Sequence, residues 1–143
     1  MVSGMPDPFR LQRFVDAQAP VYESVLAELR AGRKRSHWIW FVFPQIYGLG
    51  HSAMANHYAI RSLEEAKAYL AHPLLGPRLV ECCELVNAIE GRAIEDIFPF
   101  PDNLKFRSSM TLFAQAAEKN QIFVAALQKY FGGEPDRATL ARL

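Results

Sequence analysis

The sequence predicts an all-α fold, a compact multihelical single domain over residues 1–143 with about seven or eight short helices. Apolar residues recur at spacings of three and four through most of the chain. Prolines and capping residues punctuate it at short intervals. Strand and helix signals do not alternate, and no Asn-Gly or Asp-Gly hairpin turn occurs. A chain of 143 residues suffices for one core, because a domain of about 150 residues buries roughly 70% of the surface its unfolded chain exposes.

Taken in order, Asp7 and Pro8 form an N-cap and first-turn pair, and with Phe9, Phe14 and Val15 they predict a short first helix. Pro20 opens a second, in which Val21, Val25 and Leu29 share a stripe with Tyr22 and Leu26 beside it, and Gly32 ends it. The segment Trp38 to Phe43 is aromatic and β-branched, and its propensity favours a buried strand. Ser52 caps a helix carrying Met54, Tyr58 and Ile60. Ser62-Leu63-Glu64-Glu65 is a capping box leading into Ala66, Tyr69 and Leu70.

Pro73 interrupts the pattern, and Pro77 begins a helix in which Leu79, Cys82 or Cys83, Val86 and Ile89 form the apolar face until Gly91. Ile94 to Phe98 make a brief turn or helix closed by Phe98-Pro99-Phe100-Pro101. Asp102 then caps a long helix with the stripe Phe106, Met110, Phe113 and Ala117. Asn120 caps the next, where Ile122, Ala126 and Tyr130 run beside Phe123, Leu127 and Phe131 before Gly132-Gly133. Asp136 starts a terminal turn.

Composition excludes several classes. Sixteen basic and fifteen acidic side chains leave a net charge of +1, so no global field draws the chain to nucleic acid or an anionic membrane, and neither is expected as a partner. The run Trp38 to Phe43 is far short of the roughly 20 apolar residues of a membrane-spanning helix. Met1 to Asp7 lack the basic and apolar regions of a secretory leader, and Val2 excludes the myristoylation pattern. Cys82 and Cys83 are neighbours and close no useful loop, which suits a reducing compartment; a cytoplasmic monomer or weak homodimer is the expectation. His37, His51, His57 and His72 form no zinc-ligand spacing, so no metal is expected. Gly48-Leu49-Gly50 lacks the third glycine and the βα unit of a dinucleotide fingerprint, so no cofactor is expected either.

The unusual feature is His37-Trp38-Ile39-Trp40-Phe41-Val42-Phe43-Pro44-Gln45, which runs into the glycine turn. Trp38 and Trp40 offer flat faces for stacking, and the Gln45 amide offers donors and an acceptor for a ligand's polar edge; the alternative is that these aromatics are core. Arg30, Arg33, Lys34 and Arg35 stand just before this segment and suit a phosphate, or else complement the preceding helix dipole. His37 is the leading proton-transfer candidate because an unperturbed imidazole titrates near neutrality, and a structural histidine is the alternative. On the long helix, Asp102, Lys105, Ser108, Ser109 and Thr111 form a polar side suited to an anionic ligand. Clustered hydroxyls are poor helix formers, though they also permit close packing.

Asp7-Pro8-Phe9, Arg13-Phe14, Gln18, the segment His37-Trp38-x-Trp40-x-x-Phe43-Pro44-Gln45-x-x-Gly48-Leu49-Gly50, Leu74-x-Gly76-x-Arg78-Leu79 and Lys105-x-x-Ser108-Ser109-x-Thr111-Leu112-Phe113 together resemble the bacterial domain-of-unknown-function family 1810 over nearly the whole chain. The resemblance implies a multihelical fold, makes Trp38 to Phe43 a helix rather than a strand, and brings no activity. Some members carry the label calpastatin, which denotes a disordered inhibitor; this apolar, capped chain does not fit it. The helix spacing from Met110 to Gly132 is also similar to the NADAR family, whose members act on ADP-ribose derivatives. The expectation is thus a small-ligand-binding domain, or an enzyme, for an anionic or nucleotide-like molecule of nucleotide or ADP-ribosyl type. Trp38, Trp40 and Gln45 would grip its ring, Lys105 or Arg78 its anion with Ser109 and Thr111 alongside, and His37 or Asp102 would transfer protons. The alternative is a protein-protein interaction module with the same aromatics as core.

Overall fold

In the computed structural model, which describes residues 6–143, ten helical segments form and no strand among the described residues. The leader and myristoylation readings rest largely on Met1 to Met5, outside the described residues. The excess over seven or eight comes from one-turn elements too short for a 3.6-residue period to register.

The N-terminal pair is α1 (Gln12–Gln18) and α2 (Tyr22–Arg30), the latter burying Val25, Leu26 and Leu29 as its stripe requires. Asp7 is not the N-cap: Leu11 holds that position after a turn in which Arg10 takes φ 53°, so the helix begins later than expected, although the Asp7 carboxylate still accepts from the Leu11 and Gln12 N–H groups at its start. Gly32 ends α2's region at φ 77°, which favours glycine.

The aromatic segment forms a single turn, α3 (Ile39–Val42), with Trp38, Ile39, Phe41, Val42 and Phe43 all buried. Strand propensity loses because a strand needs neighbours for its amides and carbonyls, whereas a turn supplies its own. Val42 N–H donates to Trp38 C=O and Phe43 N–H to Ile39 C=O. The β pairing is one parallel bridge between Ile46 and Ile60.

Ser52 caps α4 (Ala53–His57), whose side chains are not buried and which ends before Tyr58 and Ile60. Ser62 caps α5 (Leu63–Ala71) by accepting from Glu65 N–H, but Glu65 reaches back to Arg61 N–H and to Arg13 at 2.8 Å, so the box is only half formed. Next comes α6 (Leu75–Ala88), starting two residues before Pro77. His72 Nδ1 accepts from Leu74 and Leu75 N–H, and Pro77 lies in the first turn, where its missing N–H is harmless. Cys82 and Cys83 are buried core thiols.

After α7 (Ile94–Ile97), the long helix α8 (Asp102–Ala116) crosses the centre, burying Phe106, Met110, Leu112 and Phe113 completely. Asp102 is not its cap: Pro101 occupies that position and the carboxylate turns to lysines. The following α9 (Gln121–Phe131) likewise lacks a side-chain cap, because Asn120 Nδ2 donates to Ala114 C=O instead. The terminal α10 (Arg137–Leu140) is capped by Asp136, whose carboxylate accepts from Thr139 N–H. Helices α3, α5, α7, α9 and α10 all pack on α8, and α6 closes the far side against α2, α5 and α9. Trp38, Phe43, Phe98 and Phe106 interlock by edge contacts and one stack, Phe98 on Phe106 at 4.8 Å.

Candidate functional site

A cleft of about 350 Å³ opens where the loop before α3 meets the start of α8, lined by Lys34, Arg35, His37, Trp40, Pro99, Phe100, Pro101, Asp102 and Lys105. Two segments distant in sequence build it, and Glu28 fixes the first. Its Oε1 accepts from Arg35 N–H at 2.7 Å, Ser36 N–H at 3.0 Å and Trp38 Nε1–H at 2.9 Å, while Oε2 accepts from the Ser36 hydroxyl. Burial alone would raise this carboxyl's pKa; the four donors outweigh it and hold the pKa below the ordinary glutamate value. Lys34 N–H donates to Ile97 C=O at 2.8 Å, tying the loop to α7 and the prolines beyond.

At the cleft floor, Lys34 Nζ lies 2.6 Å from Asp102 Oδ2 and Lys105 Nζ 3.5 Å from Asp102 Oδ1. Both carboxylate oxygens thus face ammonium groups. Lys34 is only 8% exposed, with its ammonium 5.3 Å from the Trp38 ring centroid, and Lys105 sits 5.0 Å from the centroid of Trp40. Cations over indole faces in a partly dry site gain up to about 2 kcal/mol. Phe100 stands opposite in the lining and is 74% exposed, the most exposed of the large apolar side chains described. Arg35 and His37 line the cleft from solvent-exposed positions.

His37, Trp40, Asp102 and Lys105 therefore meet in one cleft. The remaining expected residues lie elsewhere. Trp38 is 1% exposed, with its indole N–H on Glu28, and belongs to the core. Gln45 sits at the β bridge, where its carbonyl accepts from Ile60 N–H. Arg78 stacks on Tyr22 at 4.2 Å and faces Gln18 Oε1 at 3.4 Å, between α2 and α6. The hydroxyl face divides. Ser109 is fully buried, while Thr111 Oγ1 accepts from Asp136 N–H and Ser108 Oγ lies 2.9 Å from Asp136 Oδ2, so these two anchor the C-terminal turn. Ser108 stands three residues after Lys105 and borders its face of the helix, but its hydroxyl is committed to Leu104 C=O and Asp136, and Thr111 lies further round the helix.

Sequence reasoning passed over Phe100, Pro99 and Pro101 as punctuation, although a phenylalanine between two prolines is held outside any helix and is a signal in itself. It singled out Lys34 and Arg35 as a phosphate-suited cluster without joining them to Asp102. No local pattern marks Glu28 as the organiser of the loop. The buried thiols offer no nucleophile: burial pushes Cys82 up to about 12 and Cys83 well above the ordinary thiol value. Among the described residues no group of His, Cys, Asp and Glu is arranged to hold a metal ion, and no helix is long and apolar enough to cross a membrane.

Fold and cleft together define a small all-helical domain with a basic, aromatic-walled surface pocket. The chain belongs to the family described as Protein of unknown function (DUF1810), whose model matches residues 8–143. It is similar to the conserved hypothetical protein Rv1873 from Mycobacterium tuberculosis, at 66% identity and a TM-score of 0.95 over 96% of this chain and 98% of that one. No curated protein matches the chain.

Proposed function

We propose that this protein is a small-ligand-binding domain whose cleft at Lys34, Trp40, Asp102 and Lys105 receives an anionic, nucleotide-like molecule. The observation that carries this reading is the pair of lysine ammonium groups flanking one carboxylate beside a partly exposed indole and an exposed phenylalanine. Each lysine ammonium has three donor protons and meets one carboxylate oxygen of Asp102. Donors remain for an incoming anion. Trp40 and Phe100 supply the flat surfaces a base or similar ring needs, and the cleft's size falls at the lower end of the roughly 300–1,000 Å³ usual for ligand sites. With Asp102 engaged on both oxygens, His37 is the group available for proton transfer if a reaction occurs there.

A thermal-shift screen against AMP, NAD, ADP-ribose and sugar phosphates tests the reading, since a ligand at 100 times its dissociation constant adds about 2.7 kcal/mol of stability. Lys105→Ala and His37→Ala are expected to abolish the shift with little change in the unliganded melting point. Gln45→Ala, outside the cleft, is expected to retain it. Absence of any shift across these compounds overturns the proposal.

A further inference from the structure

Resting on that reading, we infer that the cleft selects a phosphate monoester dianion carried on a planar ring, as in a nucleoside monophosphate, and that Asp102 sets this charge preference. The chemistry follows from the inventory of fixed charges. Lys34, Arg35 and Lys105 bring three cationic side chains to the lining, and Asp102 neutralises one of them, leaving two net positive charges among these groups. A phosphate monoester carries about two negative charges above its second pKa of roughly 6, so it balances the cleft. A carboxylate or sulfate monoanion leaves one cation unmatched.

Asp102 also limits charge from the other side. Its oxygens lie on the floor between the two lysines, so a ligand bringing more negative charge than the cations can match meets a carboxylate held in place by α8. On the loop side, four hydrogen bonds to Glu28 and the bond from Lys34 N–H to Ile97 C=O fix the backbone that carries Lys34 and Arg35, and the ion pair with Asp102 holds the Lys34 ammonium. A site with charges held in this way discriminates by the charge it already presents. Size acts in the same direction: about 350 Å³, walled by Trp40 on one segment and Pro99, Phe100 and Pro101 on the other, suits a single ring with one phosphoryl group.

The test is titration calorimetry at pH 7.5 with matched probes: phenyl phosphate, phenyl sulfate and benzoate for charge, and AMP, ADP and adenosine for the nucleotide series. The expected order is phenyl phosphate tighter than phenyl sulfate and benzoate by about tenfold or more, and AMP tighter than ADP and adenosine. Asp102→Asn removes the limiting charge and is expected to move the preference toward ADP, raising the ADP-to-AMP affinity ratio by about tenfold; a merely structural aspartate would weaken both alike. Should Asp102→Asn fold poorly, Lys105→Met provides the second reading, lowering phenyl phosphate affinity while narrowing its margin over phenyl sulfate. Equal affinity for phenyl phosphate, phenyl sulfate and benzoate, or an unchanged ADP-to-AMP ratio in Asp102→Asn, overturns this inference while leaving an anion-binding cleft. No binding by any probe overturns both readings.

Discussion

At the scale of the residue, Glu28 does what no local pattern announces, holding the Arg35–Trp38 loop in shape through one carboxylate. Glu28→Ala leaves two backbone amides and an indole N–H without their acceptor and is expected to destabilise by about 2–4 kcal/mol, with a shift in tryptophan fluorescence. Because the folded pKa is lowered, Glu28 contributes its stability in full above the unfolded glutamate value of about 4.3 and loses it as pH falls through the folded value. Urea melts between pH 6 and pH 3 should therefore show a steeper acid loss in the wild type than in Glu28→Gln. The thiols make a contrasting case. With Cys82 pushed up to about 12 and Cys83 higher, neither should react with a thiol reagent at pH 7.5 in the folded protein, and both should react once it is unfolded.

At the scale of the element, most boundaries were legible from caps and periodicity, and the exceptions share a cause. Ser52 and Ser62 cap as expected because nothing else competes for their hydroxyls, and Asp136, expected to start the terminal turn, caps α10 while also accepting from Ser108. Asp102 and Asn120 do not, because Lys34 on another segment, with Lys105 one turn along α8, and the end of α8 offer their polar atoms better partners. Helix α6 meets α5 so closely that a Cβ on Gly76 would lie 2.1 Å from Leu70 C=O. Gly76→Ala should therefore destabilise by about 1–3 kcal/mol in a urea melt, reversing the gain of up to about 1 kcal/mol that helix propensity alone would give. At the other end, Asp136→Ala removes the cap of α10 and the Ser108 contact together, and a loss of about 1–2 kcal/mol with faster amide exchange confined to residues 136–143 is expected.

At the scale of the whole molecule, the cleft depends on α8 being both the core's central helix and, at its first turn, a wall of the site. The apolar residues from Phe106 onward fix the helix, so Asp102 and Lys105 are presented without a stabilising role of their own beyond their ion pairs. Binding and stability should then separate. Phe100→Ser, at a side chain 74% exposed, should leave the melting point within a few degrees while removing any ligand-induced shift. Trp38→Phe should do the reverse, lowering stability through a lost hydrogen bond and packing volume in the core, with ligand affinity altered only through the loop it supports.

The sequence by itself determined the helical class, the stripes of α2, α6, α8 and α9, and the unusual character of residues 37–45, because periodicity, capping and composition are local properties. Tertiary structure alone decided which face each aromatic and each hydroxyl turned to. Trp38 and Trp40 are two residues apart and chemically alike, yet one is sealed against Glu28 and Phe98 while the other edges the cleft. Ser108 and Thr111 went to the C-terminal turn and Asp102 to a lysine 68 positions earlier in the chain, as the Lys34–Asp102 pair records. Such pairings follow from how helices dock on α8, and docking is fixed by the shapes of buried surfaces far apart in sequence, which a one-dimensional pattern does not contain.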